Sequence, residues 1–372
     1  MTSLRSLSRY LKILLIVGNR GDFMNNNKTI HLAGGCFWGM EGYFKRIRGV
    51  MATKVGYANG NGDSTSYDKV KETDHAETVE ITYDTSLVSL EEILLRYFKV
   101  IDPTSVNKQG GDRGRQYRTG IYYSDFADKK IIDKVYKYEE KIHGELAVEV
   151  EELKNFVTAE GYHQDYLEKN PGGYCHINLA EADEPIFEKE YKEVSDEEAK
   201  KLLDELSYKV MREDGTEHPH TSELNDEWRA GIYVDKLSGE VLFTSEDKFD
   251  AGCGWPSFAR TINSDSVSYN RDESHGMRRV EIKSKHGNNH LGHVFSDGPK
   301  EMGGLRYCID GAALRFVPLE DMDKEGYGEY KIFFSDEIYK SNAINNVKEE
   351  PKEVTEVKDE SQDNGGSGIG AD

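Results

Sequence analysis

From Thr29 onward, short apolar runs give way repeatedly to helical periodicities. Thr29–Ala33 reads as a strand, and Phe37, Met40, Phe44 and Ile47 then recur at helical spacing. Ala52–Tyr57 reads as a second strand. In the stretch that follows Asp74, Val79, Ile81 and Tyr83 alternate with polar residues, the pattern of a half-buried strand. Glu77 shares their parity, which aims it inward. Leu87–Val100 is an amphipathic helix opened by Ser86 or Ser89 and closed by Asp102-Pro103. A polar, glycine-rich loop over 107–118 leads into a strand at Thr119–Tyr123, a helix at Ala127–His143 and a strand at Ala147–Glu151. Helices alternating with strands make this half α+β, a mixed sheet with helices.

The pattern changes past residue 204. Gly231–Val234 and Glu240–Phe243 flank a turn ending in Ser238-Gly239, a hairpin signal. Further strands are expected at Met277–Lys283, His290–Phe295, Leu305–Ile309 and Ala313–Pro318, so this half is mostly β, built of packed antiparallel sheets. Beyond Tyr339 the run of Asn, Glu, Asp, Gly and Ser has the composition of a disordered tail. The expected organisation is an extension over 1–28, a first domain over 29–180, a linker over 181–204, a second domain over 205–338 and a tail over 339–372.

Length agrees with two domains, since 372 residues exceed one ordinary core. The formal net charge of −21 argues against nucleic acid and anionic membranes as partners. Residues 181–205 hold 11 acidic and 4 basic side chains, which reads as a solvated linker. Cysteine is scarce: Cys36, Cys175, Cys253 and Cys308, too few for a disulfide scaffold and without a C-x-x-C. Their chemistry is therefore catalytic or redox. At the N-terminus Ile13–Val17 follows three basic residues and faintly resembles a signal peptide, but its apolar core is short and no cleavage signal follows. Met24 is an alternative start. A cytoplasmic protein is expected, or an exported one if that run acts as a signal, and no span long enough to cross a membrane is present.

Cys36 lies where a strand turns through Gly34-Gly35 into a helix. Free N–H groups and the helix dipole favour an anion there, so the thiol is expected to ionise below its free value. The plainer reading is a small buried cysteine at a tight turn. Glu77, withdrawn from water, would hold its proton as a general acid must. The loop over 107–118 lacks the Gly-Lys-Ser/Thr of a phosphate loop. Pro171-Gly172-Gly173 places Cys175 on a flexible arm. In Leu305–Asp310, alternation puts Arg306, Cys308 and Asp310 on one face, where the guanidinium would favour a thiolate or simply pair with Asp310. His286, His290 and His293 suggest a metal only if Gly292 allows a bulge, since His290 and His293 otherwise face opposite ways.

With these residues in view, Gly35-Cys36-Phe37-Trp38-Gly39, His75-Ala76-Glu77, Gln116-Tyr117-Arg118 and Tyr162-His163-Gln164 resemble the methionine sulfoxide reductase A family. Gly252-Cys253-Gly254-Trp255-Pro256-Ser257-Phe258, Ser274-His275-Gly276-Met277, His290-Leu291-Gly292-His293-Val294-Phe295 and Gly304-Leu305-Arg306-Tyr307-Cys308-Ile309 resemble the B family. The two types repair the two sulfoxide epimers, S by the A type and R by the B type. In the A half the resemblance implies Cys36 as nucleophile, Glu77 as acid, Tyr67 and Tyr117 as hydrogen-bond donors to the sulfoxide oxygen, and Phe37 and Trp38 around the methyl group. Asp112 would orient the site and Cys175 would resolve the sulfenic acid as a disulfide. In the B half it implies Cys308 as nucleophile, Cys253 as resolving partner, His290 and His293 in acid and positioning roles, Trp255 at the methyl group and Arg306 beside the thiolate. The implied partners are methionine sulfoxide in peptides or proteins and a thioredoxin-like reductant, with no bound cofactor.

Two positions depart from the B pattern. Where many members carry zinc-binding cysteines, this chain has Asp235, Ser238, Ser284 and Gly287, so it resembles the metal-free subgroup. Asp310 stands where an Asn is usual, and if ionised would oppose a Cys308 thiolate. Competing readings are a thiol redox sensor without turnover and a histidine-based metal hydrolase in the β half.

Overall fold

The computed structural model describes residues 26–191, 194–335 and 338; the signal-like run and the expected tail lie outside them. The first half is a six-stranded sheet. Its strands are β1 (Asn27–Gly34), β2 (Val50–Ala58), β3 (Ala76–Asp84), β4 (Thr119–Tyr123), β5 (Glu149–Glu152) and β6 (Phe156–Thr158), in spatial order β5-β4-β1-β3-β2-β6. Only β4 and β5 pair in parallel. Ile30, Leu32, Val79 and Ile81 are fully buried in the central pair, as alternation requires when a face packs on helices. Those helices are α1 (Phe37–Phe44), α2 (Leu90–Val100), α3 (Asp128–His143) and the short α4 (Tyr166–Lys169). Of the two serines that could open α2, Ser89 is the cap, its side chain accepting a hydrogen bond from the Glu92 N–H at 3.1 Å.

Two helices, α5 (Asp196–Leu202) and α6 (Glu205–Arg212), lead into the second half. There β7 (Gly231–Asp235) and β8 (Val241–Thr244) form the expected hairpin. The other strands are β9 (Lys248–Phe249), β10 (Ser257–Phe258), β11 (Val267–Asp272), β12 (Arg279–Ser284), β13 (His290–Phe295), β14 (Arg306–Ile309) and β15 (Leu314–Pro318). One sheet runs β8-β7-β15 and the other β9-β10-β14-β13-β12-β11, all antiparallel. Tyr233, Phe243, Phe258, Ile282, Leu291 and Ile309 fill the core between them.

Residues 181–204 differ from the solvated linker that their charge suggests. Ala182, Ile186, Phe187, Ala199 and Leu203 are buried among the acids. Arg96 donates to the carbonyls of Ala182 and Glu184, and Lys99 to that of Pro185 at 2.6 Å. Phe187 packs edge-on against Tyr330 at 5.0 Å. A few apolar anchors and two basic side chains from α2 hold the stretch down, and a charge count does not register them.

The two halves also meet directly, and the described residues up to Phe334 form one compact unit. Leu87, just ahead of α2, sits in the same apolar cluster as Val280, Val294 and Leu305. Beside it Glu92 and Arg96, 0% and 1% exposed, pair at 2.9 Å. Ser264 donates to Glu92 through its N–H at 2.8 Å and its hydroxyl at 2.6 Å, and Asp265 lies 3.3 Å from Arg96. Arg48, in the loop after α1, donates to the Ser264 carbonyl at 3.0 Å and lies 3.8 Å over the ring of Tyr269. A buried ion pair is strongly destabilising only when one partner is removed, because the other charge is then stranded. Arg96→Leu is therefore expected to cost about 3–5 kcal/mol in urea unfolding. The double variant Glu92→Leu/Arg96→Leu should recover most of that loss, and a double variant no better than the single would contradict the account.

Candidate active sites

In the first half the chain leaves β1 through Gly35, whose φ of +82° and approach to Gln109 (a side chain on Gly35 would meet Gln109 Cβ at 2.5 Å) leave room only for glycine. Cys36 is then the residue that caps α1. Glu77, on β3, is 2% exposed, and its Oε2 accepts a hydrogen bond from the Phe37 N–H at 3.2 Å. Burial raises the Glu77 carboxyl to about 8 against the pull of that N–H, so it carries its proton at neutral pH. Asp112 adds to the rise.

The Cys36 thiol does not ionise early. Burial and the neighbouring Glu77 push it well above the ordinary thiol value, although the N–H groups of Trp38 and Gly39 at the start of α1 draw it down. The helix end acts in the expected direction, and loss of water outweighs it.

Around these two groups stands an aromatic wall. Trp38 stacks on Tyr166 with ring centroids 3.7 Å apart, and its Nε1 donates to His163 Nδ1 at 3.2 Å. Phe37, Tyr67 and Tyr162 also face the His163 ring, at 5.2, 4.8 and 4.2 Å. Glu160 accepts from the Tyr57 hydroxyl at 2.8 Å and from the Tyr67 N–H at 3.0 Å, which fixes the loop carrying Tyr67. Tyr67 and Tyr117 both lie in the field of Glu77 and Cys36. Asp112 accepts the Tyr174 hydroxyl at 3.1 Å. Cys175 closes the group from the far arm: a side chain on Gly39 would meet its Sγ at 3.2 Å. His163, Tyr166 and Glu160 went unassigned in the sequence, although Tyr162-His163-Gln164 marked their neighbourhood.

In the second half Cys308 lies on β14 with Ser257 opposite it on one side and His293 on the other. Cys253 Sγ is 3.5 Å from Cys308 Sγ and 3.3 Å from the Ser257 hydroxyl. The bulge on which convergence of the two histidines depends is present. The β12–β13 register slips at Leu291, and Gly292 has φ +145° with no room for a side chain against the Cys308 carbonyl. His290 and His293 therefore reach one region, ring centroids 5.6 Å apart. His293 Nε2 lies 2.8 Å from Asp272, and His290 Nδ1 lies 2.7 Å from Glu281. The other His290 nitrogen is buried without a partner, 3.9 Å from Asp310. Asp310 is 4% exposed and accepts the Glu217 N–H at 2.8 Å. Burial raises it to about 7. Glu217, also unassigned in the sequence, holds the N–H groups of Gly311 and Ala312 and accepts the Trp255 indole N–H on its carbonyl.

Arg306 does not make Cys308 a ready thiolate. Its guanidinium is forked onto Asp297 with two contacts of 2.9 Å, and it packs 4.5 Å over Phe295. Burial and Cys253 push Cys308 up to about 12 despite Arg306. At Cys253 burial also opposes ionisation, but Ser257, the Trp255 backbone, Cys308 and Arg306 together bring it below the ordinary value. Between these touching thiols, Cys253 is the more easily ionised.

Sequence comparison gives the two halves their kinship. The sequence model of the peptide methionine sulfoxide reductase family matches residues 28–195, and that of the SelR domain matches 203–318. The chain belongs to the methionine sulfoxide reductases. It is a bifunctional peptide methionine sulfoxide reductase, an A-type domain fused to a B-type domain. Among solved structures, reduced Mxr1 from Saccharomyces cerevisiae is 37% identical over 44% of this chain and 96% of its own, with a TM-score of 0.40. Methionine sulfoxide reductase A of Corynebacterium diphtheriae is 32% identical over 43% and 82%, with a TM-score of 0.38. A complex of the yeast Mxr1 with Trx2 matches at 26% identity over 41% and 93%, with a TM-score of 0.28.

SelR domains often bind zinc. In this reductase the four corresponding positions do not suit it. A side chain on Gly287 would lie 2.9 Å from Ser284 Oγ and 3.1 Å from Ser238 Oγ, so these positions converge, but none brings a thiolate or imidazole. Asp235 spends one oxygen on the N–H groups of Leu237 and Ser238 and the other on the Asn289 amide at 2.9 Å. Elsewhere, Asp214, Glu281 and His290 bring ligand-type atoms within 4.8 Å of one another, but the Lys283 ammonium already lies 2.9 Å from Asp214 and 3.3 Å from Glu281. Among the described residues no helix is long and apolar enough to cross a membrane.

Glu77 makes stability depend on pH in a defined direction. Its folded value, about 8, exceeds the ordinary 4.5, so the folded reductase binds this proton more tightly than the unfolded chain. The resulting stability is complete below pH 4.5 and lost as pH rises through 8. Glu77→Gln should lack this contribution to the decline. The difference in urea midpoint between variant and wild type is expected to shift in the variant's favour from pH 5 to pH 8.5, and a constant difference would refute the assignment.

Proposed function

We propose that the A half reduces the S epimer of methionine sulfoxide and the B half the R epimer, each through a cysteine sulfenic acid and an intradomain disulfide. The observation that carries the reading is Glu77: a carboxyl that keeps its proton at neutral pH, buried beside a buried thiol and an aromatic wall. Sulfoxide oxygen is a poor leaving group until protonated, so the site needs an acid more than it needs a standing thiolate.

The steps balance as follows. Cys36 sulfur attacks the sulfoxide sulfur while Glu77 gives its proton to the oxygen, with Tyr67 and Tyr117 donating hydrogen bonds to it. The thiol's own proton restores Glu77. Oxygen passes to Cys36, leaving a sulfenic acid and methionine. Cys175 then attacks that sulfenic acid, the S–O bond breaks, an S–S bond forms and water leaves. Phe37 and Trp38 hold the methyl group, and Asp112 orients the loop between them and Tyr174. In the B half Cys308 attacks and Cys253, 3.5 Å away, resolves. His290 and His293 supply the acid and positioning groups, Trp255 the methyl contact, and Arg306 a positive field beside the sulfur. An external dithiol of the thioredoxin class returns two electrons to each disulfide. Peptide or protein methionine sulfoxide is the substrate class.

Turnover of each epimer separately tests the division of labour. Cys36→Ser should abolish reduction of the S epimer and leave the R epimer at wild-type rate, and Cys308→Ser should do the reverse. Either variant silencing both epimers would break the reading.

Asp310 sets a second test. With its value near 7, it is protonated below that pH and charged above it, where it opposes ionisation of Cys308. R-epimer reduction should therefore be held back above pH 7 in the wild type and released in Asp310→Asn. Superimposable pH–rate profiles would remove Asp310 from the account.

A further inference from the structure

Strand β11 is the outer strand of the larger B-half sheet and pairs with β12 alone. An edge strand leaves one row of backbone groups outside the ladder, so its hold on the sheet is one-sided. Here the A half grips its leading end. Arg48, in the loop that follows α1, donates to the Ser264 carbonyl at 3.0 Å and lies 3.8 Å over the Tyr269 ring. Ser264 in turn gives its N–H and hydroxyl to Glu92. From that grip β11 reaches the B site twice. The Tyr269 hydroxyl lies 2.9 Å from that of Tyr307, the neighbour of Cys308. Two strands separate β11 from β14, about 14 Å of ladder spacing, and the two phenol side chains bridge that gap on the core side. At the far end of β11, Asp272 lies 2.8 Å from His293 Nε2, and His293 stands opposite Cys308 in the β13–β14 ladder.

We infer that Arg48, supplied by the A half, is a positioning residue for the B-half reaction: by clamping β11 at Ser264 and Tyr269, it fixes where that strand holds Cys308 and His293. The inference deepens the B-half chemistry proposed above and rests on it.

The physical route runs through the strand and not through contact with the substrate. Tyr307 and Ile309 are buried in the core, so alternation turns Cys308 to the opposite face of the sheet from Tyr269 and Tyr307. Tyr307 is 1% exposed, and a close-packed side chain passes on a displacement of its partner instead of absorbing it. At the other contact, an imidazole that shares one nitrogen with a carboxylate has its ring and its second nitrogen fixed in direction. Asp272 is also held by Arg279 at 2.6 Å and by the Ser274 N–H at 2.8 Å. Release of Arg48 therefore loosens the site without dismantling it. A misplacement of about 1 Å far from the chemistry can cost up to about a hundredfold in rate, and a partial release costs less.

The test uses the full-length reductase with dithiothreitol as reductant and each epimer of a methionine sulfoxide peptide in turn. In Arg48→Ala, kcat for the R epimer should fall about tenfold while KM stays within about twofold of wild type. Both constants for the S epimer should be unchanged. Arg48→Lys, which keeps a cation over the ring and a donor for the carbonyl, should recover most of the lost kcat. Tyr269→Phe keeps the ring and loses the phenol contact, so it should slow the R epimer alone. If the two residues act along one route, Arg48→Ala/Tyr269→Phe should be no slower than the slower single variant. Wild-type R-epimer kcat in Arg48→Ala, an equal loss for both epimers, or losses that multiply in the double variant would each overturn the inference. R-epimer turnover that survives Cys308→Ser would instead overturn the B-half reading itself.

Discussion

Exclusion of water from the sulfur atoms is the constraint on which both halves depend. A thiol in water would ionise near its free value, but a carboxyl in water would lose its proton several pH units too early to be useful. Placing both under one roof inverts this. Glu77 keeps its proton because it is buried, and Cys36 beside it gives up early ionisation for the same reason. The fold around them serves that exclusion. Gly35 lets the chain turn tightly, the first turn of α1 caps the thiol, and Trp38, Tyr166 and His163 wall off solvent.

The B half reaches a comparable state with different material. A strand replaces the helix end, and a bulge at Leu291 replaces the glycine turn as the device that aims polar groups at the sulfur. Its carboxyl, Asp310, hangs from the Glu217 N–H and sits near an unsatisfied His290 nitrogen. The halves do not share a site, yet they share a core. Leu87 belongs to the apolar cluster of the B sheets, and Glu92 and Arg96 are buried against Ser264 and Asp265.

Much of this is readable from residue order alone, and the reasons for the exceptions are specific. Strand β3 and the parity of Glu77 follow from alternation, which records which face is buried. The two thiol values do not, because the helix end and the neighbouring arginine are visible in the sequence while the depth of burial is not. The pairing of His290 with His293 depends on one slipped residue, which the pattern permits without requiring. Residues 181–204 look solvated because acids dominate the count, and the buried Ala182, Ile186, Phe187, Ala199 and Leu203 reveal that they dock. Strand β11 is missed because its exposed polar residues (Asn270, Arg271) interrupt the apolar signal. The zinc substitution was legible residue by residue, but the hydrogen bonds that occupy Asp235 were not.

The 3.5 Å approach of Cys253 to Cys308 bears on durability as well as turnover. A sulfenic acid left waiting can be oxidised again to the sulfinic state, from which thiols do not rescue it. A partner sulfur already in contact shortens that wait to the time of one bond exchange. On the proposed assignment, the B half is thereby guarded against self-inactivation when peroxide is abundant, which is when oxidised methionine accumulates fastest.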